Sequence, residues 1–213
     1  MRITIVYDNE TRRKDLKADW GFACIVDAEG RRILFDTGAN GSILLGNMEK
    51  LGFPPASVEE IFISHDHWDH TGGLSEFLKA RGNKIKVYLP FSCSIPTDAG
   101  EVVRVGPALE MHPHVFSTGE LKHVEQSMVV ETGKDVVVIT GCSHPGVGEI
   151  LEAAAQYGKV RALIGGLHGF CEFDLLRNMY TICATHCTQH KLEIESLFPG
   201  RCIPGGVGTV IEL

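Results

Sequence analysis

Between Ser64 and Gly73 the chain reads Ser-His-Asp-His-Trp-Asp-His-Thr-Gly-Gly, which places His65, His67 and His70 within six consecutive positions together with Asp66 and Asp69. Neutral imidazole suits zinc, iron, nickel or copper, and a carboxylate suits harder cations or accepts a hydrogen bond from a ligating ring. Such density points to a metal site, because a solvated loop has no use for three imidazoles and two carboxylates at this spacing. A metal held by three protein ligands with an open position lowers the pKa of bound water from roughly 15.7 to about 7 and polarises a carbonyl or phosphoryl oxygen. Hydrolysis is the reaction this chemistry favours. Asp66, or Asp69 where it is not fully engaged, is the group to carry a proton to the leaving group.

The cluster needs elements to hold it. Apolar Ile61-Phe62-Ile63 precedes it as a short buried strand, and Leu74, Phe77 and Leu78 follow at helical spacing after Thr71-Gly72-Gly73. The same arrangement recurs along the chain. Asp36 follows Ile33–Phe35, His144 follows Val136–Ile139, His168 follows Ala162–Ile164, and His186 follows Ile182–Ala184. Each polar residue lies within a few positions of a strand's C-terminal end, where α/β folds place ligands and catalytic groups. Strands running in compatible directions would carry these side chains to one edge.

His144 lies in an irregular turn, Thr140-Gly141-Cys142-Ser143-His144-Pro145-Gly146, and His168 is flanked by Gly165, Gly166 and Gly169. His186 precedes a helix that Thr188 is expected to cap. All three are read as metal ligands with the Ser64–Gly73 cluster. Asp36 is read as an orienter, accepting the second N–H of a ligating ring. His112, His114, His123 and His190 are read as surface or substrate-facing groups, and Trp20, Phe22 and Trp68 as core or pocket wall. Cys142 and Cys187 lie close to candidate ligands.

The 213 residues suit a single domain, 1–213, with 44% hydrophobic and 22% charged residues. A net charge of −7 argues against nonspecific binding to nucleic acid or to an anionic membrane. Arg12-Arg13-Lys14 with Lys17 is the one basic cluster and is read as a solvated loop. No apolar run reaches the roughly 18 residues of a membrane span, and the N-terminus lacks a secretion signal, so a cytoplasmic location is expected. Seven cysteines without paired spacing fit reduced thiols.

The remaining pattern is of strands and helices in turn. Strands are expected at 3–7, 20–26, 32–35, 84–89, 128–130, 136–139, 160–164, 182–184 and 207–213, and helices at 43–51, 149–157, 172–180 and 188–197, with small strands and loops from 90 to 125 shaping substrate entry. Early hairpins and later strand–helix alternation predict an α/β fold with mixed sheets.

Asp36-Thr37-Gly38, His65 to His70, His144, His168 and His186, in that order, resemble the motifs of the metallo-β-lactamase superfamily. Thr71-Gly72-Gly73-Leu74, Thr140-Gly141-Cys142-Ser143-His144, Gly165-Gly166-Leu167-His168 and His186-Cys187-Thr188 further resemble its branch of dihydropterin ribofuranosyl-aminobenzene phosphate synthases. The resemblance implies a four-layer αββα sandwich with one or two metal ions between the sheet edges. Zinc is the first expectation, with iron and manganese as alternatives. His65, His67 and His144 would hold one ion, and Asp69, His70 and His186 the second. Two departures stand out. His168 falls where the superfamily usually supplies a bridging Asp, and Asp66 falls where the branch often has Gly. The function implied is a metal-dependent hydrolase acting on a small anionic molecule, with neither nucleic acid nor membrane as partner. The alternatives are a synthase-like transferase of the same fold and a non-hydrolytic iron-binding or redox protein.

Overall fold

The computed structural model describes residues 1–82 and 84–213. Strands β1 (Arg2–Tyr7), β2 (Ala23–Ala28), β3 (Arg31–Phe35), β4 (Glu60–Phe62), β5 (Lys86–Pro90), β6 (Glu101–Val105) and β13 (Val210–Glu212) form one sheet in the order β13-β1-β2-β3-β4-β5-β6. Strands β7 (Leu109–His112), β8 (Val115–Ser117), β9 (Met128–Thr132), β10 (Asp135–Thr140), β11 (Lys159–Gly166) and β12 (Thr181–Thr185) form the other, in the order β12-β11-β10-β9-β8-β7.

Period-two alternation explains why both sheets are covered on both faces. In β2, Cys24 and Val26 join the core between the sheets, while Ala23 and Ile25 join an outer core with Leu44 and Met48 of α1 (Gly41–Lys50) and Phe77 and Leu78 of α3 (Leu74–Arg81). In β10, Val137 and Ile139 face the inner core, while Val136 and Val138 pack outward with Ile150 of α4 (Val147–Ala154) and Ile194 of α5 (Lys191–Leu197). The result is the expected αββα sandwich. Among the described residues no helix is long and apolar enough to cross a membrane.

Strand direction is what positions the site. β3, β4, β5 and β6 are mutually parallel, as are β10, β11 and β12. The C-terminal ends that carry Asp36, His65, His144, His168 and His186 therefore lie together along the sheet edges, in line with the strand-end regularity read from the sequence. A four-residue helix α2 (Trp68–Thr71) carries Asp69 and His70.

Several elements differ from expectation. The strand expected from Trp20 begins at Ala23, because Gly21 at φ 142° and the Phe22 N–H to Asp69 C=O bond turn Trp20–Phe22 toward the ligand loop. The helix expected over 172–180 is a 3-10 turn at Phe173–Leu176; Leu176 and Met179 are buried but Leu175 and Tyr180 are exposed, too narrow an apolar stripe for a longer helix. Thr188 caps no helix: its hydroxyl accepts from Leu167 N–H at 2.9 Å and donates to Thr185 C=O at 2.7 Å, and α5 starts at Lys191. The last strand is confined to Val210–Glu212, since Gly206 and Gly208 turn the chain at φ 124° and 93°.

Candidate metal centre

Three nitrogens converge at the mouth of the sandwich. His65 Nε2 stands 3.1 Å from His67 Nδ1, His144 Nε2 stands 3.2 Å from His65 Nε2, and His144 Nε2 stands 3.1 Å from His67 Nδ1. Nitrogens bonded to one tetrahedral zinc at about 2.0–2.1 Å lie roughly 3.3–3.4 Å apart, so this triangle is within a few tenths of an ångström of the spacing a cation requires.

The ring orientations follow from what lies behind them. Asp36 is fully buried; its Oδ1 accepts from Ser64 N–H and its Oδ2 from the Ser64 hydroxyl, each at 2.7 Å. With its proton given to Asp36, the Ser64 oxygen is left to accept from His65 Nδ1 at 2.9 Å, so the His65 Nε2 lone pair points into the triangle. Burial holds the pKa of His65 well below its ordinary value, with the neighbouring rings adding to the effect, and burial also lowers those of His144 and His186. These rings favour the neutral form that binds metals.

Beside the triangle lies a second group, Asp69, His70 and His186. His186 Nδ1 donates to Asn9 Oδ1 at 3.0 Å, while Asn9 Nδ2 donates to the His186 carbonyl at 3.1 Å. His186 Nε2 is left buried without a hydrogen-bond partner, 3.3 Å from Asp69 Oδ2. An orphaned buried nitrogen facing a carboxylate fits a cation between them. Trp20 Nε1 donates to the same Asp69 oxygen at 2.9 Å. Burial alone would raise the Asp69 pKa, but His186 and the charge of His70 outweigh it and hold the group below the usual carboxylate range. For His70, the charge and hydrogen bond of Asp36 outweigh burial and raise the pKa.

The loop carrying His144 is held by a carboxylate far away in sequence. Glu125, completely buried, accepts at Oε1 from Gly141, Cys142 and Ser143 N–H groups at 3.0, 3.0 and 3.2 Å, and at Oε2 from His144 N–H at 2.8 Å. Asp36, Ser143, His168 and His186 all have positive φ, at 54°, 63°, 44° and 51°. Backbone held this way costs on the order of 1–3 kcal/mol per residue and concentrates at functional sites. Gly141 is needed for packing: a Cβ there would stand 2.2 Å from Ser64 Oγ.

The structure thus brings together His65, His67, Asp69, His70, His144 and His186 in the two groupings that the family resemblance implies. His168, half-buried, packs beside His144 with ring centroids 4.6 Å apart and the rings tilted at 57°, and groups with His144 and Cys142. Asp66 belongs to no ligand group; it is exposed and reaches only the Ser94 N–H, at 3.5 Å. His112 pairs with Glu60 on β4 instead of facing an entrance loop, at 2.5 Å. Trp20 and Trp68, read as core or pocket wall, are not core but 50% and 64% exposed, and the Trp20 indole serves the site as a donor to Asp69. Asp8, Asn9 and Glu125 carry no site reading from the sequence. Asp8 and Asn9 directly follow β1, so the strand-end regularity extends to them. Asp8 accepts from the Thr185 hydroxyl and from His186 N–H at 3.2 Å, fixing the end of β12.

An αββα sandwich with convergent His and Asp side chains at one sheet edge defines a scaffold suited to holding metal ions. The profile described as the metallo-beta-lactamase superfamily matches residues 21–177, and the chain belongs to that superfamily. Within it the chain resembles 7,8-dihydropterin-6-methyl-4-(beta-D-ribofuranosyl)-aminobenzene-5'-phosphate synthase of Methanocaldococcus jannaschii, at 25% identity over 81% of this chain and 82% of the relative. The crystal structure of Tm1679, a metal-dependent hydrolase of the beta-lactamase superfamily, superposes with a TM-score of 0.80 at 25% identity, covering 100% of this chain and 99% of the other. The fold is shared as well by Zn(2+)-bound PqqB from Methylobacterium extorquens, with a TM-score of 0.65 at 11% identity over 100% of both chains.

Proposed function

We propose that the protein is a metal-dependent hydrolase of a small anionic substrate, holding one or two zinc ions with His65, His67 and His144 on one side and Asp69, His70 and His186 on the other. The observation that carries this reading is the triangle of imidazole nitrogens with 3.1–3.2 Å edges. Zinc bound there supplies Lewis acidity and activates water near neutral pH. The cationic centre favours an anionic substrate, and its oxygen atoms would be drawn to the same edge.

The chain's own residues do the positioning. Asp36 and Ser64 keep the His65 lone pair aimed inward, Asn9 does so for His186, and Glu125 fixes the backbone from which His144 projects. Of the two carboxylates read as proton carriers, Asp69 accepts from Trp20 and belongs to the second ligand group. Asp66 is exposed to solvent on the same loop. An Asp66→Asn variant should keep its metal content and lose turnover.

A second reading is favoured by the Methanocaldococcus jannaschii relative: a synthase-like transferase using the same centre. Elemental analysis with a panel of ester, lactone, phosphodiester and β-lactam substrates tests the hydrolase. Hydrolysis of at least one substrate, lost with bound metal in His65→Ala and His144→Ala, is the expected result. Retained activity in either variant would remove the role given to that residue. A metal-loaded protein inert across the panel but active in the relative's synthase reaction would favour the second reading.

A further inference from the structure

The sulfur of Cys142 occupies a place that the six-ligand scheme leaves unexplained. Among the described residues five donor groups have ligand atoms within 4.8 Å of one another, and Cys142 belongs to three: with His65 and His70, with His144 and His168, and with His186 and Cys187. No other donor belongs to more than two. Its neighbours therefore come from both proposed cation positions. The thiol is 2% exposed, with Sγ 3.2 Å from His70 Nε2 and 3.3 Å from Cys187 Sγ. Space for the paired thiols exists because β11 ends in glycine: a Cβ on Gly166 would stand 2.7 Å from Cys187 Sγ and 2.5 Å from the Gly141 carbonyl oxygen.

We propose that the Cys142 thiolate is a metal ligand shared between the two cation positions. The proposal rests on the metal-centre reading above. His168 cannot take this part, since an imidazole directs its two nitrogens to opposite sides of the ring, whereas one thiolate sulfur has lone pairs for two adjacent cations. On binding, the Cys142 S–H bond breaks and its proton leaves to solvent while sulfur bonds the cation; no electron is transferred. Cys187 Sγ, 3.3 Å from Cys142 Sγ, is placed to donate its S–H to that thiolate. A sulfur donor makes the site selective for zinc, cobalt or iron(II) over manganese and magnesium.

The test uses the full chain, stripped by chelator under reducing conditions and titrated with cobalt(II). The expected result is a thiolate-to-cobalt charge-transfer band in the near ultraviolet that grows through two equivalents. It should be lost in Cys142→Ser, with the second ion held about 10-fold or more weaker, and kept in Cys187→Ser. Cobalt bound with visible ligand-field bands but no charge-transfer band overturns the shared thiolate while leaving the imidazole–carboxylate centre standing. Failure to bind cobalt at all overturns both. A band kept in Cys142→Ser and lost in Cys187→Ser overturns the assignment to Cys142. If Cys142→Ser does not fold, X-ray absorption of the zinc-loaded wild type decides: sulfur at about 2.3 Å supports the proposal, and a purely nitrogen and oxygen shell refutes it.

Discussion

Asp36 Oδ2 accepts a hydrogen bond from His70 Nδ1 at 2.7 Å, with both side chains completely buried. Asp36 also holds Ser64, which holds His65, so one carboxylate at the end of β3 orients rings of both proposed cation positions. Burial pushes the Asp36 pKa up while His70 and Ser64 work against it. Asp36→Asn keeps the volume but loses the charge. Isothermal titration with zinc should show both sites weakened, by roughly 10–100-fold as is typical when an orienting partner is removed. Unchanged affinity would mean that the rings are held by packing alone.

Asn9 reaches His186 across 177 residues of sequence. In Asn9→Leu the ring loses the acceptor that fixes its protonation pattern, and its carbonyl loses the Asn9 amide. Metal retention should fall selectively at the Asp69, His70 and His186 position, leaving the other ion in place. Stepwise loss of one zinc equivalent on dialysis against a weak chelator is the measurement.

Glu125 binds four consecutive backbone N–H groups of the loop from Gly141 to His144. Removing it in Glu125→Ala leaves buried donors unpaired at roughly 1–3 kcal/mol each, partly recovered by entering water, so a loss on the order of 3 kcal/mol is expected. Urea unfolding of the metal-free protein reads this directly. Zinc should restore part of the loss, since it binds only the folded loop.

Acid should destabilise the metal-free protein. The folded pKa values of His65, His144 and His186 lie below the ordinary value of 6.5, chiefly because burial disfavours the charged ring. Below pH 6.5 the unfolded chain therefore takes up protons that the folded rings resist, and stability falls as pH drops toward the folded values. His70 runs the other way: its raised pKa adds stability below 6.5 that is lost as pH rises through the folded value. Asp8 and Asp36, raised from 3.8 by burial, side with His70, but their ordinary value lies well below the histidines' 6.5. With the three rings dominating between pH 7 and 5, thermal unfolding of the metal-free protein should show a lower midpoint at pH 5 than at pH 7. An equal or higher midpoint at pH 5 would contradict the balance.

Local pattern alone carried much of this protein. The cluster from His65 to His70 is legible because its ligands are adjacent in sequence and bracketed by a strand and a helix. The two-residue period of strands such as β2 and β10 announces sheets covered on both faces. His144 and His186 are legible through a rule about strand ends, which reports that a side chain lies at an edge but not which edge.

Tertiary structure decided the rest. Pairing of β3 to β6 and of β10 to β12 in parallel aligned those ends, and packing of the two sheets set them opposite one another. Only then do Asn9 meet His186, Glu125 meet the His144 loop, and Cys142 meet Cys187, 45 residues further on. The helix expected over 172–180 failed for a related reason: composition there permits a helix, but the surface offered by β10, β11 and β12 buries only Leu176 and Met179. Periodicity records which face of an element is apolar, whereas partners distant in sequence depend on strand order and sheet packing, which exist only once the chain has folded.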